Sequence, residues 1–280
     1  MRVLHTDEIA AAVAQLCVQA NRALPADVAA ALAAARRREE WPTAQNALDV
    51  MLENLDAARE HCLPICQDTG MACVFIELGQ EVALQGPLLS DAVHEGVRRG
   101  YEDGYLRKSI VADPLRRTNT GDNTPAQLTL SLVAGDKVRI TVAPKGFGSE
   151  NMSRIAMLPP AAGQAGAEEF ILQTVRAGAP NACPPLVVGV GIGGSFDAAP
   201  QLAKKALLRP LDVPHPDPRY AEMEQHLLEE INRMGIGPAG YGGGTTALGL
   251  AIEAAPTHIA GLPVAVNISC HATRRAQTVL

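Results

Sequence analysis

Aromatic side chains are scarce in this 280-residue chain, at 3% of its residues. That scarcity argues against a surface that stacks nucleic-acid bases. No basic run extends beyond Arg36-Arg37-Arg38 and the formal net charge is −6, so nucleic acid and anionic membranes are not expected partners. Every apolar stretch is interrupted by Gly, Pro or charge before it reaches the roughly 18 residues of a membrane span. Asp7 and Glu8 precede an amphipathic N-terminal pattern, whereas a secretory leader places positive charge ahead of a continuous apolar run. A cytoplasmic protein is therefore expected. Six cysteines are too few to staple a chain of this length, and no Cys-x-x-Cys pair exists, which removes the usual zinc-ribbon and ferredoxin spacings.

What is present is enough apolar content, 47%, to bury a full core. No repeat, low-complexity tract or obvious linker divides the chain, so one domain over 1–280 is expected, with a helical region at about 1–62. Ile9, Val13, Leu16, Cys17 and Ala20 recur at helical spacing behind Thr6 as N-cap, and Leu48, Met51, Leu52 and Leu55 repeat the pattern after Pro42-Thr43. Val93, Val97 and Tyr101 mark another helix whose end Gly100 and Gly104 signal, and residues 218–234 read as a charged amphipathic helix. Ala72–Leu78, Pro185–Gly191 and Pro263–Ser269 read as strands. Leu128, Leu130 and Leu132 alternate, as do Val138, Ile140 and Val142 beyond an Ala-Gly-Asp turn, the pattern of a hairpin. Helices mixed with paired and isolated strands predict an α/β (mixed α+β) fold, with mixed sheets flanked by helices.

Three cysteines stand where a predicted strand meets a Gly/Pro turn: Cys66 in Ile-Cys-Gln-Asp-Thr-Gly, Cys183 in Asn-Ala-Cys-Pro-Pro and Cys270 in Ser-Cys-His. Scaffolds present functional groups at such places. Three thiolates can hold an iron–sulfur cluster and leave one iron open as a Lewis acid. The alternative is that each packs as a small hydrophobe, which is the expectation for Cys17, Cys62 and Cys73. Spacing alone does not choose between them. Asp68 is either a general acid or base held by Thr69-Gly70, or ordinary turn chemistry. The Asp-Thr-Gly of aspartic proteases needs a second copy and a β-rich chain, and neither is here. Lys145–Asn151 combines a cation, Gly146, Gly148 and the polar Ser149, Glu150 and Asn151; it reads as a carboxylate-binding loop or as a solvated hairpin exit. Gly191-x-Gly193-Gly194 lacks the acidic residue of a dinucleotide fingerprint, which points to close helix–sheet packing. Arg107 suits a two-pronged carboxylate clamp or a solvated surface charge. His258 and His271 are the histidines nearest the third cysteine, and imidazole is readily tuned for proton transfer.

Taken together, several blocks resemble class I fumarate hydratases, the iron–sulfur hydro-lyases that include L(+)-tartrate dehydratase. They are Pro-Ile-Cys-Gln-Asp-Thr-Gly at 64–70, Ala-Pro-Lys-Gly-Phe-Gly-Ser-Glu-Asn-Met at 143–152, Asn-Ala-Cys-Pro-Pro with Gly-Val-Gly-Ile-Gly-Gly at 181–194, Lys-Lys-Ala-Leu-Leu-Arg-Pro at 204–210, and Pro-Thr-His-Ile-Ala-Gly-Leu-Pro-Val-Ala-Val-Asn at 256–267. The resemblance implies that Cys66, Cys183 and Cys270 each ligate one iron of a [4Fe–4S] cluster, and that malate binds the fourth. It implies substrate contacts for Gln67, Asp68, Arg107 and Gly148, with Lys145 and Ser149 in the same loop as Gly148, and proton transfer for Asp68. His258 matches a family histidine that reaches an active site across a subunit boundary. Single-chain members continue into a second domain that supplies further cations. The expectation is thus the α subunit of a two-subunit enzyme with a β-subunit partner, homodimerising to a heterotetramer, that hydrates fumarate to (S)-malate in the tricarboxylic acid cycle. L(+)-tartrate dehydratase and mesaconate hydratase share the cysteines. A cluster-free scaffold or regulatory subunit, with catalysis wholly in its partner, is the alternative from another class.

Overall fold

The computed structural model describes residues 2–280. In chain order it runs through β1 (Arg2–His5), α1 (Thr6–Arg22), α2 (Ala26–Arg38), α3 (Pro42–Glu60), β2 (Met71–Gly79), β3 (Val82–Gln85), α4 (Leu89–Asp103), β4 (Gln127–Val133) and β5 (Val138–Lys145). There follow α5 (Phe147–Glu150), β6 (Arg154–Leu158), α6 (Gly163–Gly178), β7 (Leu186–Gly194), α7 (Ala198–Ala206), α8 (Pro218–Arg233), β8 (Ala247–Thr257), β9 (Leu262–Ser269) and β10 (Ala276–Val279). The mixture is the α/β class expected. The chain divides into two compact units: the first is built from the chain up to Pro25, Leu55–Phe147 and Arg274–Leu280, the second from Ala26–Asn54 and Gly148–Thr273. No helix among the described residues is long and apolar enough to cross a membrane.

In the first unit a four-stranded sheet has the order β10-β5-β2-β4, and β1 pairs with β3 beside it. Ile9, Val13, Leu16 and Cys17 of α1 and Val93, Val97 and Tyr101 of α4 pack with Val74, Ile76, Ile140 and Val142 of the sheet. Three sequence expectations are corrected here. The leucine-rich β4 does not form a hairpin with β5: it pairs parallel with β2, and β2 pairs antiparallel with β5. Alternation identifies a half-buried strand but not its neighbour, and β2, apolar on successive residues, takes the central place. The α1 N-cap is His5, whose Nδ1 accepts the Asp7 amide at 3.3 Å while Glu8 Oε1 accepts the His5 amide at 3.2 Å. Thr6 is buried, its hydroxyl donating to Pro87 O at 3.0 Å. Gly100 lies inside α4 rather than at its end, because a Cβ there would meet Ala14 O of α1 at 2.7 Å; the glycine lets two helices approach.

In the second unit the sheet order is β6-β9-β7-β8, with β7 parallel to β8 and antiparallel to β9. Ile171 and Val175 of α6 and Leu227 and Ile231 of α8 pack with Val188, Val190 and Ile268. Ala199 and Ala203 of α7 pack with Ala265. A Cβ on Gly189 or Gly191 would lie 2.2 Å from Ala203 O or 2.1 Å from Ala199 O, so the glycines serve close helix–sheet packing as expected. The glycine-rich Tyr241–Gly244 segment is tied down. Gly244 N donates to both oxygens of the buried Glu39 carboxylate, and Trp41 Nε1 donates to Tyr241 O at 3.2 Å.

Candidate functional site

Pro64 precedes a turn, and that turn delivers Cys66, Gln67 and Asp68 to the start of β2 in the first unit. The Asp68 carboxylate is held by backbone amides on both oxygens: Gly70 N donates to Oδ1 at 3.0 Å and Phe147 N to Oδ2 at 2.9 Å. Gly70 is required at φ +72, and a Cβ there would sit 2.7 Å from the Lys145 carbonyl. From beneath, the buried Tyr101 hydroxyl lies 2.8 Å from Thr69 O and 3.0 Å from Gly70 O, and Thr69 Oγ1 donates to Arg107 O at 2.8 Å. The Asp68 amide donates to Cys66 Sγ at 3.4 Å, and the thiol lies 3.6 Å from Gln67 Oε1. Cys66 is half-buried and Gln67 exposed. The structure thus brings together Cys66, Gln67, Asp68 and Lys145, with Arg107 joined through its backbone.

Lys145 ends β5 and is buried, its Nζ donating to Gly146 O at 3.1 Å. The alternative of a solvated hairpin exit is accordingly absent: residues 147–150 form a helical turn, and Ser149 is buried as well. Gly148 has open space where a Cβ would stand. The Arg107 side chain is exposed and pairs with no carboxylate among the described residues.

The other two candidate cysteines belong to the second unit. Cys183 enters β7 and Cys270 leaves β9, and because Val187 pairs with Ser269 they occupy the same end of one sheet. Cys183 is exposed and holds φ +53, a left-handed conformation that a non-glycine residue adopts at a cost. Its carbonyl accepts the His271 amide at 3.3 Å and lies 3.1 Å from His271 Nδ1, which places the imidazole proton on that nitrogen. Thr273 Oγ1 donates to Cys270 O at 2.8 Å. His258 sits at the opposite end of this sheet, beside the Gly194–Thr257 pair, with β7, roughly 26 Å long at about 3.3 Å per residue, running between. Exposed His258 accepts the Ala260 amide on Nδ1 at 3.1 Å, leaving Nε2 to carry the proton of the neutral ring.

Sequence reasoning missed the residues that brace these loops. Buried Arg274 donates through Nη2 to Asp68 O at 2.7 Å and through Nη1 to Asn21 Oδ1 at 3.1 Å. In the second unit the Glu150 carboxylate joins Lys204 and Asn267, and Asn267 Nδ2 also donates to Ser153 Oγ at 2.8 Å. Lys204 and Asn267 lie inside the distinctive blocks, as does Glu150, named from sequence only as a polar member of the Lys145–Asn151 loop, whereas Asn21 and Arg274 lie outside every block.

Residues 10–279 match the family model described as fumarate hydratase (fumerase). The chain belongs to the fumarate hydratase family. Fumarate hydratase and its relatives are hydro-lyases, which add water to or remove it from a carbon–carbon double bond. Among curated proteins this family member is 41% identical over 275 residues to the "Putative L(+)-tartrate dehydratase subunit alpha" of Methanocaldococcus jannaschii, covering 96% of each chain. It is 34% identical over 267 residues to the L(+)-tartrate dehydratase subunit alpha of Escherichia coli strain K12, covering 94% of this chain and 88% of the relative.

The cysteines of this fumarate hydratase family member differ in their fitness as metal ligands. Cys17 is buried in the first core, and burial pushes its thiol up to about 12, out of thiolate chemistry. Cys73 is buried in β2. Cys66, Cys183 and Cys270 lie at strand ends, are exposed or half-buried, and form no disulfide. Sulfur donors, one of them accepting a backbone N–H, suit iron–sulfur chemistry and not a hard cation held by oxygen. Among the described residues no three His, Cys, Asp or Glu side chains converge as ligands of a single ion.

Proposed function

We propose that the chain is the α subunit of a cytoplasmic iron–sulfur hydro-lyase that interconverts a 2-hydroxydicarboxylate and its dehydrated partner, with Cys66, Cys183 and Cys270 as ligands of a [4Fe–4S] cluster. The observation that carries the proposal is the match of residues 10–279 with the fumarate hydratase family and of nearly the whole chain with relatives named as α subunits. The two fitting substrates are (S)-malate, formed from fumarate, and L(+)-tartrate. The family description supports the first and the names of the relatives the second. Mesaconate hydration is the third member of the same chemistry.

When bound, the cluster supplies an iron without a protein ligand that polarises the C–O bond to be broken. The remaining tasks fall to side chains. Asp68 moves the proton: two amides fix its carboxylate, leaving its remaining lone pairs for a substrate group. Gln67, Lys145, Gly148 and Ser149 orient the dicarboxylate, and the exposed Arg107 guanidinium closes on one carboxylate in two-pronged fashion. Oriented cations stabilise the charge that grows as the C–H proton leaves. His258, at the far end of its own sheet from Cys183 and Cys270, serves the active site of another copy of the chain. A dianionic substrate facing a subunit of charge −6 needs further cations, and a β subunit brings them in an α2β2 assembly.

The experiment is co-expression with a β-type chain, anaerobic iron loading, and turnover on malate, L(+)-tartrate and mesaconate side by side. One of the three is expected to dominate. Malate and tartrate differ by one hydroxyl, and a site that hydrogen-bonds that group discriminates by up to about 10⁴–10⁵. An iron-loaded complex that dehydrates or hydrates none of them refutes the assignment, and a cluster-free scaffold would give full activity without iron in this subunit.

A further inference from the structure

Arg274 lies in the first unit, four residues after Cys270 in the chain, and is 4% exposed. Its partners are neutral oxygens: Asp68 O at 2.7 Å from Nη2 and Asn21 Oδ1 at 3.1 Å from Nη1. Its Nε is buried without a hydrogen-bond partner, and no carboxylate among the described residues pairs with it. Asn21 is completely buried on α1, where its Nδ2 donates to Cys17 O at 2.9 Å, and its own carbonyl accepts the Ile65 amide at 2.9 Å. The segment Ile65–Asp68 is therefore pinned at one end by Asn21 and at the other by Arg274, and Asn21 and Arg274 are bonded to each other.

Only Cys66 and Gln67 lie between the pins. A buried guanidinium that hydrogen-bonds neutral oxygens is an expensive brace, since a neutral side chain of like volume avoids desolvating a charge. Tyr101 and Asn123 already support the neighbouring Thr69 and Gly70 carbonyls. What the guanidinium supplies beyond them is a rigid planar fork that spans two acceptors at once. It also reaches the sulfur through one residue, because Asp68, whose carbonyl it holds, donates its amide to Cys66 Sγ.

We propose that Arg274 is a positioning residue: with Asn21 it clamps Ile65–Asp68, so that the Cys66 sulfur and the Asp68 carboxylate are held where the hydro-lyase site needs them. The inference rests on the proposed function for its purpose, but the clamp is measurable without it. In the metal-free full chain, Arg274→Gln should speed amide hydrogen exchange of Ile65–Asp68 at least about tenfold, the factor for losing one charge-assisted hydrogen bond. Arg274→Lys, which keeps the charge and loses the fork, should fall between. The β2 and β5 amides should exchange as in the wild type. After anaerobic reconstitution with iron and sulfide, both variants should lose iron faster than the wild type, in the same order. Unchanged exchange at Ile65–Asp68, or exchange raised equally across β2 and β5, would overturn the clamp, the second result marking a merely stabilising residue. Should Arg274→Gln not fold, the same pattern in Arg274→Lys decides. A wild type that binds no iron sinks the cluster assignment instead, and hydrogen exchange still judges the clamp.

Discussion

Tyr101→Phe removes one oxygen from the support under the Asp68 turn. The hydroxyl is shared between Thr69 O at 2.8 Å and Gly70 O at 3.0 Å, and Tyr101 is fully buried. Gly70 O retains Asn123 Nδ2 at 3.1 Å. Thr69 O retains no donor among the described residues, so the substitution strands a buried carbonyl, at a cost of about 2 kcal/mol. Urea unfolding should show that loss with an unchanged dependence on denaturant. The pH dependence sharpens the test. Burial raises the Tyr101 phenol above its ordinary 10.0, so the folded chain keeps a proton that the unfolded chain releases. That stabilisation is whole below pH 10 and declines above it by about 1.4 kcal/mol per pH unit. The Phe variant has no such decline, and the gap between the two proteins should narrow above pH 10. A cost below about 0.5 kcal/mol near pH 7, or a gap that widens in alkali, refutes the reasoning.

Cys17 gives a second alkaline signal: burial raises its thiol from 9.0 to about 12, so the stability of the wild type should fall from pH 9 toward pH 12, and Cys17→Ala should lessen that fall; equal slopes would mean that the thiol is not buried. Gly70→Ala combines φ +72 with a Cβ 2.7 Å from the Lys145 carbonyl, and should cost about 3 kcal/mol in urea unfolding; a loss under about 1 kcal/mol would show that the Lys145 backbone yields. Asp68→Asn keeps the bond from Gly70 N but can turn an N–H toward the Phe147 amide, so it should unfold only about 1 kcal/mol more readily. In an iron-loaded complex with a β-type chain its turnover should drop about 10²–10⁴-fold, and wild-type turnover would remove Asp68 from the proton transfer.

Helical periodicity identified α1, α3, α4 and α8, and short continuous apolar runs bounded by Gly or Pro identified β2, β7 and β9. It misassigned the partner of β4, because pairing is set by which strand is buried on both faces and not by the strand's own pattern. The loops around Cys66 and Cys183 were legible as turns from Pro64, Gly70 and Pro184-Pro185. Their braces were not legible: Asn21 and Arg274 lie 253 residues apart in sequence, and a buried polar bond over such a distance leaves no local mark. From sequence Lys145 and Ser149 read either as part of a carboxylate-binding loop or as a solvated hairpin exit, and the fold buries both. The division of the cysteines was legible from their settings, and the fold buries Cys17 and Cys73 as expected, but Cys62, expected to pack, is exposed beyond the end of α3.

The central claim is that those three cysteines, and no others, hold iron. Anaerobic reconstitution of the chain with iron and sulfide, followed by iron and sulfide analysis, should give about four of each per chain. Cys66→Ala, Cys183→Ala and Cys270→Ala should each lose most of that iron, while Cys62→Ala, at an exposed cysteine outside the set, should retain it. A wild-type chain that takes up no iron, or a triple variant that takes up as much as the wild type, would contradict the account.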